Sequence, residues 1–99
     1  MYTVMIVEDE LLVRMGLMAL IPWDELRLRV VAKAINGQEA WAAYQKFHPD
    51  IVMTDIRIPG MNGLELMRAI SAQDATCALI VITCVEDFST LQSLSLIHI

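Results

Sequence analysis

The sequence predicts an α/β domain built on a doubly wound parallel sheet. Two observations predict it. Four short runs, residues 3–7, 28–32, 50–54 and 78–82, are apolar on both faces. Each is followed by a stretch with helical spacing of apolar residues, so the strands would be parallel and covered on both sides.

Thr3, Val4, Met5, Ile6 and Val7 form the first strand candidate. Residues 11–20 follow as a helix, with Leu11, Met15 and Met18 on one stripe and Arg14 as its only charge. Ile21, Pro22, Trp23 and Asp24 lead into the second strand, residues 28–32. Asn36 and Gly37 turn the chain. Residues 38–47 then form a helix with Ala40, Tyr44 and Phe47 in line, and Pro49 stops it. The third strand, residues 50–54, enters a loop of Pro59, Gly60, Met61, Asn62 and Gly63. A helix over 64–71 follows, with Leu64, Met67 and Ile70 inward. Asn62 as N-cap and Glu65 three residues on give it a capping-box-like start. Residues 78–82 are the fourth strand, and a last helix begins near Asp87. The methionine-bearing helix stripes read as core.

At 99 residues, 57% hydrophobic and 19% charged, with a mean hydropathy of +0.54, the chain is one domain and is excluded from the disordered class. No apolar run approaches the ~18 residues of a membrane span. Glu8, Asp9 and Glu10 interrupt the first apolar run, which lacks the basic lead of a secretory signal, so a soluble cytoplasmic protein is expected. A net charge of −5, with Arg14, Arg27, Arg29, Lys33, Lys46, Arg57 and Arg68 scattered, argues against a nucleic-acid grip by this chain itself. Cys77 and Cys84 would stand roughly 23 Å apart on one strand, beyond the ~7 Å limit of a disulfide. They read as reduced, small core hydrophobes.

One count does not close. A strand–helix unit with its two loops takes roughly 24 residues, so five units need roughly 120. The 99 residues hold four strands and part of a fourth helix, and a fifth strand is expected to be missing.

In an open parallel sheet the working site lies beyond the carboxyl ends of the strands. Glu8, Asp9 and Glu10 follow the first strand, Asp55 the third, and Thr83 and Cys84 the fourth. In the flavodoxin-like order 2-1-3-4-5 the first and third strands are neighbours, which brings Glu8, Asp9 and Asp55 together. Carboxylates in one crevice repel, so a pKa rises or a cation joins them. Hard oxygen ligands with little cage around them suit Mg²⁺. A carboxylate there can attack a phosphoryl group and become an aspartyl phosphate, and the Thr83 hydroxyl could donate to a phosphate oxygen. The bland alternative makes the acidic triplet a helix cap and Asp55 a turn residue.

With these residues in place the sequence resembles the receiver domain of two-component response regulators, over residues 1–92. The matching pieces are Ile6-Val7-Glu8-Asp9-Glu10, Pro49-Asp50-Ile51-Val52-Met53-Thr54-Asp55, Ile58-Pro59-Gly60-Met61-Asn62-Gly63 and Val81-Ile82-Thr83-Cys84. The resemblance implies a flavodoxin-like (CheY-like) fold with strand order 2-1-3-4 in this chain, lacking the fifth strand and fifth helix. It implies that Asp55 accepts a phosphoryl group from a sensor histidine kinase. Asp9 would bind Mg²⁺ directly, Glu8 through water, and the carbonyl of Arg57 would add a ligand. Thr83 would be the switch hydroxyl. Ile21-Pro22-Trp23 and Val85-Glu86-Asp87-Phe88 look like receivers that precede an AraC-type helix-turn-helix output domain, so DNA binding would belong to a longer parent protein.

The family continues to a fifth strand ending in a lysine that pairs with the phosphoryl group. No basic residue here follows Arg68, so none takes that role. From Ser93 the match fails, and residues 93–99 read as a foreign tail in which His98 is incidental. Without a fifth strand, residues 79–82 would present an apolar edge, and self-association and marginal stability are expected. A dinucleotide-binding enzyme is rejected, because the acidic triplet stands where a Gly-rich turn would have to be. A phosphatase-like hydrolase with an aspartyl nucleophile, and a receiver fragment that no longer signals, remain as alternatives.

Overall fold

A computed structural model of the chain describes residues 1–82. In chain order they form β1 (Tyr2–Val7), α1 (Leu11–Leu20), β2 (Leu28–Ala34), α2 (Gly37–Phe47), β3 (Ile51–Asp55), α3 (Gly63–Gln73) and β4 (Ala78–Ile82). The strands make one parallel sheet in the order β2-β1-β3-β4, as expected. The expected last helix and residues 93–99 lie outside the described residues.

β1 is central and its Val4, Met5, Ile6 and Val7 are fully buried, which explains why the run is apolar on both faces. Side chains alternate across a strand. Met5 and Val7 therefore point to one face, where they join Val52 and Leu79 in a core with Ala40 and Tyr44 of α2 and Leu64, Leu66, Met67 and Ile70 of α3. Both of these helices are capped by asparagine. Asn36 Oδ1 accepts the Glu39 N–H at 2.7 Å, and Asn62 Oδ1 accepts the Leu64 N–H at 2.7 Å. Gln45 and Gln73 exchange reciprocal amide hydrogen bonds between the two helices.

α2 departs from its expected stripe at one end. Ala40 and Tyr44 are fully buried, but Phe47 is 43% exposed, with Lys46 Nζ 5.2 Å from its ring centroid. The helix stops there: His48 takes a left-handed conformation at φ 43°, which turns the chain before Pro49.

α1 departs further. Its bounds are as expected, but Leu11 is 59% and Met15 57% exposed, and no residue of the helix is buried. The half-buried positions are Arg14, Gly16, Leu17 and Met18. In a helix that is apolar almost all round, 3–4 spacing cannot choose the inward face. The helix is rotated so that its one charged residue turns inward.

Asp50, expected to open the third strand, instead precedes β3 and ties the strands together. Its carboxylate Oδ2 accepts from the Thr3 N–H at 2.8 Å and the Thr3 hydroxyl at 3.0 Å, while the Asp50 N–H donates to Thr3 Oγ1 at 3.1 Å. The Asp50 carbonyl accepts the Ala78 N–H of β4 at 2.9 Å. One residue thus links three strands at the amino end of the sheet. No helix among the described residues is long and apolar enough to cross a membrane.

Candidate functional site

The acidic residues gather at the opposite, carboxyl end of the sheet. β1 and β3 pair with Val7 opposite Thr54, so the residues that follow each, Glu8 and Asp55, leave the sheet side by side. Glu8 is still part of the ladder in effect, because its N–H donates to the Ala34 carbonyl at 2.9 Å. One carboxylate oxygen each from Glu8, Asp9 and Asp55 lies within 4.8 Å of the other two. The expected meeting of these three side chains is what the structure contains.

Their surroundings differ. Glu8 is 2% exposed, Asp55 half-buried and Asp9 exposed. Burial, reinforced by the charges of Asp55 and Asp9, pushes the Glu8 acid from 4.5 up to about 7. The Glu10 N–H, donated to Glu8 Oε1 at 3.2 Å, works in the other direction. A hydrogen bond between the Glu8 and Asp55 side chains favours the protonated form of Glu8. Below about pH 7 a proton is therefore favoured where a cation would relieve the same repulsion, and an all-oxygen donor set suits a hard divalent ion such as Mg²⁺. The residues present fit that ion.

The two sides of the cluster are positioned by different means. On the Asp55 side, the Gly63 N–H donates to the Ile56 carbonyl at 2.7 Å. A Cβ at Gly63 would collide with the Asp55 carbonyl oxygen and come within 3.0 Å of the Asp55 carbonyl carbon, so α3 starts directly against the Asp55 backbone. Thr54 is fully buried and its hydroxyl donates to the Asp55 carbonyl at 2.9 Å. On the Glu8 side, Glu10 is the N-cap of α1 but makes no side-chain cap. The capping alternative is thus met only by Glu8, whose carboxylate takes the Glu10 N–H. Arg14 reaches back from α1, Nη1 donating to the Glu8 carbonyl at 2.9 Å and to the Asp9 carbonyl at 3.3 Å. That contact was missed in the sequence, where its signal is a lone charge on an apolar helix.

Arg57 lies two residues beyond Asp55 in the loop before α3, with its side chain exposed. Thr83 follows the last residue of β4 and lies outside the described residues, as do Cys84 and His98. Cys77 is a buried free thiol, as expected of a small core residue. Its Sγ donates to the Pro49 carbonyl at 3.4 Å, and burial pushes its pKa up to about 11.

The chain resembles known proteins over most of its length. The family model described as the response regulator receiver domain matches residues 4–96. The transcriptional regulatory protein HptR of Staphylococcus aureus (strain N315) is 34% identical over 93 residues, 94% of this chain and 36% of that protein. The transcriptional regulatory protein YesN of Bacillus subtilis (strain 168) is 35% identical over 88 residues, 89% of this chain and 24% of that protein. The chain thus spans about a third or less of these relatives' length. Among solved structures, the REC domain of AraT, a response regulator from Geobacillus stearothermophilus, superposes with a TM-score of 0.88 at 34% identity, covering 95% of this chain and 73% of that one. A two-component transcriptional regulator AraC from Clostridium phytofermentans ISDg gives a TM-score of 0.84 at 32% identity, covering 93% of this chain and 74% of that one. With the acidic cluster at the end of a 2-1-3-4 parallel sheet, these matches make the chain a member of the response regulator receiver domain family of two-component systems.

Proposed function

We propose that this chain is the phosphoacceptor module of a two-component phosphorelay, in which Asp55 takes a phosphoryl group from a phosphohistidine of a sensor histidine kinase. The observation that carries the reading is the meeting of Glu8, Asp9 and Asp55 within 4.8 Å at the ends of adjacent strands. Glu8, Asp9, Asp55 and the backbone carbonyl of Arg57 would hold one Mg²⁺. When bound, the ion supplies positive charge against the oxygens of the transferring group. An Asp55 carboxylate oxygen attacks phosphorus and the bond from phosphorus to the donor nitrogen breaks, with no change of oxidation state. The Thr54 hydroxyl on the Asp55 carbonyl, and the close approach of Gly63 to that carbonyl with its N–H on Ile56, would hold Asp55 for this attack. The Thr83 hydroxyl would donate to a phosphoryl oxygen once the group is in place.

A single transfer per chain, without turnover, is the expected outcome for a signalling module of this family. Its relatives are transcriptional regulators that extend well beyond the matched segment, so the phosphorylated module would act in the cytoplasm on an output domain that binds DNA. The test is incubation with acetyl phosphate and Mg²⁺ followed by intact mass. Wild type gains one phosphoryl group and Asp55→Asn gains none. Labelling that survives Asp55→Asn moves the acceptor elsewhere, and steady hydrolysis of phosphomonoesters makes the chain a hydrolase instead.

A further inference from the structure

Arg14 is the only charged residue of α1, and helix electrostatics do not explain its position. A cation in the early turns of a helix meets the positive end of the macrodipole. A surface arginine would also be expected among the solvent-facing residues, yet Arg14 lies on the inward side with Leu17 and Met18. What it gains is two backbone acceptors for Nη1, the Glu8 carbonyl at 2.9 Å and the Asp9 carbonyl at 3.3 Å. The Glu8 N–H on the Ala34 carbonyl and the Arg14 N–H on the Glu10 carbonyl anchor the two ends of the connection between β1 and α1, but Glu10 provides no side-chain cap and α1 has no buried residue. Within the connection the Glu8 carboxylate also takes the Glu10 N–H, and that carboxylate is the group a cation would recruit.

We propose that Arg14 is a positioning residue for the divalent cation, holding the Glu8 and Asp9 carbonyls so that both carboxylates approach the ion from fixed directions. The inference rests on the reading of Glu8, Asp9 and Asp55 as a metal site. Without the tether, the Asp9 backbone has to be ordered when the ion binds, and affinity falls by that entropy. The fold survives, because Glu8 stays paired to Ala34 through its own N–H. Both bonds leave the single nitrogen Nη1, whose donors are fixed in the guanidinium plane, whereas a lysine ammonium on its flexible stem holds the carbonyls less rigidly.

The test titrates Mn²⁺, followed by electron paramagnetic resonance, into the 99-residue chain as wild type, Arg14→Met, Arg14→Lys and Asp9→Asn. Arg14→Met is expected to weaken Mn²⁺ binding roughly tenfold, the usual effect of losing an outer-shell partner of a metal ligand, and Arg14→Lys to recover part of the loss. Without metal, hydrogen exchange at the amides of residues 10–13 is expected to be faster in Arg14→Met. At saturating Mg²⁺ the rate of labelling by acetyl phosphate should return to within about twofold of wild type, since the defect is one of ion affinity. Wild-type Mn²⁺ affinity in Arg14→Met overturns the proposal, and so does a labelling defect that saturating Mg²⁺ leaves in place. If circular dichroism shows Arg14→Met unfolded, Arg14→Lys decides: wild-type affinity there overturns the proposal, and weakened affinity with an unchanged melting temperature supports it. Equal affinity in wild type and Asp9→Asn removes the metal site itself and this inference with it. A weakened Asp9→Asn beside an unchanged Arg14→Met removes the inference alone.

Discussion

α2 and α3 send Ala40, Tyr44, Leu66 and Ile70 into the core with no exposure at all, while α1, a helix of similar length and greater hydrophobicity, buries no residue. Both core helices carry an asparagine cap, and they bond to each other through Gln45 and Gln73. α1 is held to the sheet's rim by Arg14. The contrast falls across the acidic cluster. Asp55 is supported by the well-packed side, through Gly63 and Thr54, whereas Glu8 and Asp9 lead into the loosely packed one. Hydrophobic composition therefore does not measure what a helix contributes to stability; interdigitation with neighbours does.

The sharpest way to break this comparison is to truncate one leucine on each side. Leu66→Ala is expected to cost about 2–5 kcal/mol through lost burial and the cavity left behind, while Leu12→Ala, at a position 81% exposed, should stay within about 0.5 kcal/mol. Urea unfolding monitored by circular dichroism measures both, and equal losses would erase the distinction.

Gly63→Ala tests the supported side at the cluster itself. The added Cβ runs into the Asp55 carbonyl, so the start of α3 has to move. A loss of about 1–3 kcal/mol is expected for such overpacking, together with slower labelling of Asp55 by acetyl phosphate. Unchanged thermal unfolding would show that α3 can shift without strain.

The smallest expected effect is electrostatic and lies on the Glu8 side. The Glu8 acid titrates at 4.5 ordinarily and at about 7 in the fold. Between those values the folded chain keeps a proton that the unfolded chain has released. This contribution is therefore complete below pH 4.5 and is lost as pH rises through 7. Its size is on the order of 1–2 kcal/mol, below the full linkage value because water at the rim screens the neighbouring acids. Melting temperatures without metal at pH 5.5 and 8 should show Glu8→Gln gaining on wild type as pH rises. Mg²⁺ should protect wild type at pH 8 more than it protects Glu8→Gln. A constant difference between the two chains at both pH values would mean that Glu8 does not titrate in the fold across that range.

Much of this was legible in the chain. Apolar runs on both faces located all four strands, and α1 and β4 have the bounds that periodicity assigns. The meeting of Glu8, Asp9 and Asp55 was legible because each follows a strand directly and parallel strands end at one rim. Other features needed three-dimensional information. The inward face of α1 could not be chosen because nearly every position is apolar, and Phe47 reads as core until the left-handed His48 turns the chain away. Arg14 stands out in the sequence only as the single charge of its helix, since a bond from a side chain to a carbonyl leaves no trace in composition. Asp50 looked like the first residue of a strand, because a carboxylate bonded to a threonine far along the chain has no local signature.

That bond between Thr3 and Asp50 sets an alignment at the end of the sheet farthest from the chemistry. Sliding one parallel strand past its neighbour by a single residue moves it about 3.3 Å and reverses which way each side chain points. Such a slip would carry Asp55 out of reach of Glu8 with every helix still formed. Like the zero mark on a ruler, the pinned amino ends decide whether the acids at the far margin coincide.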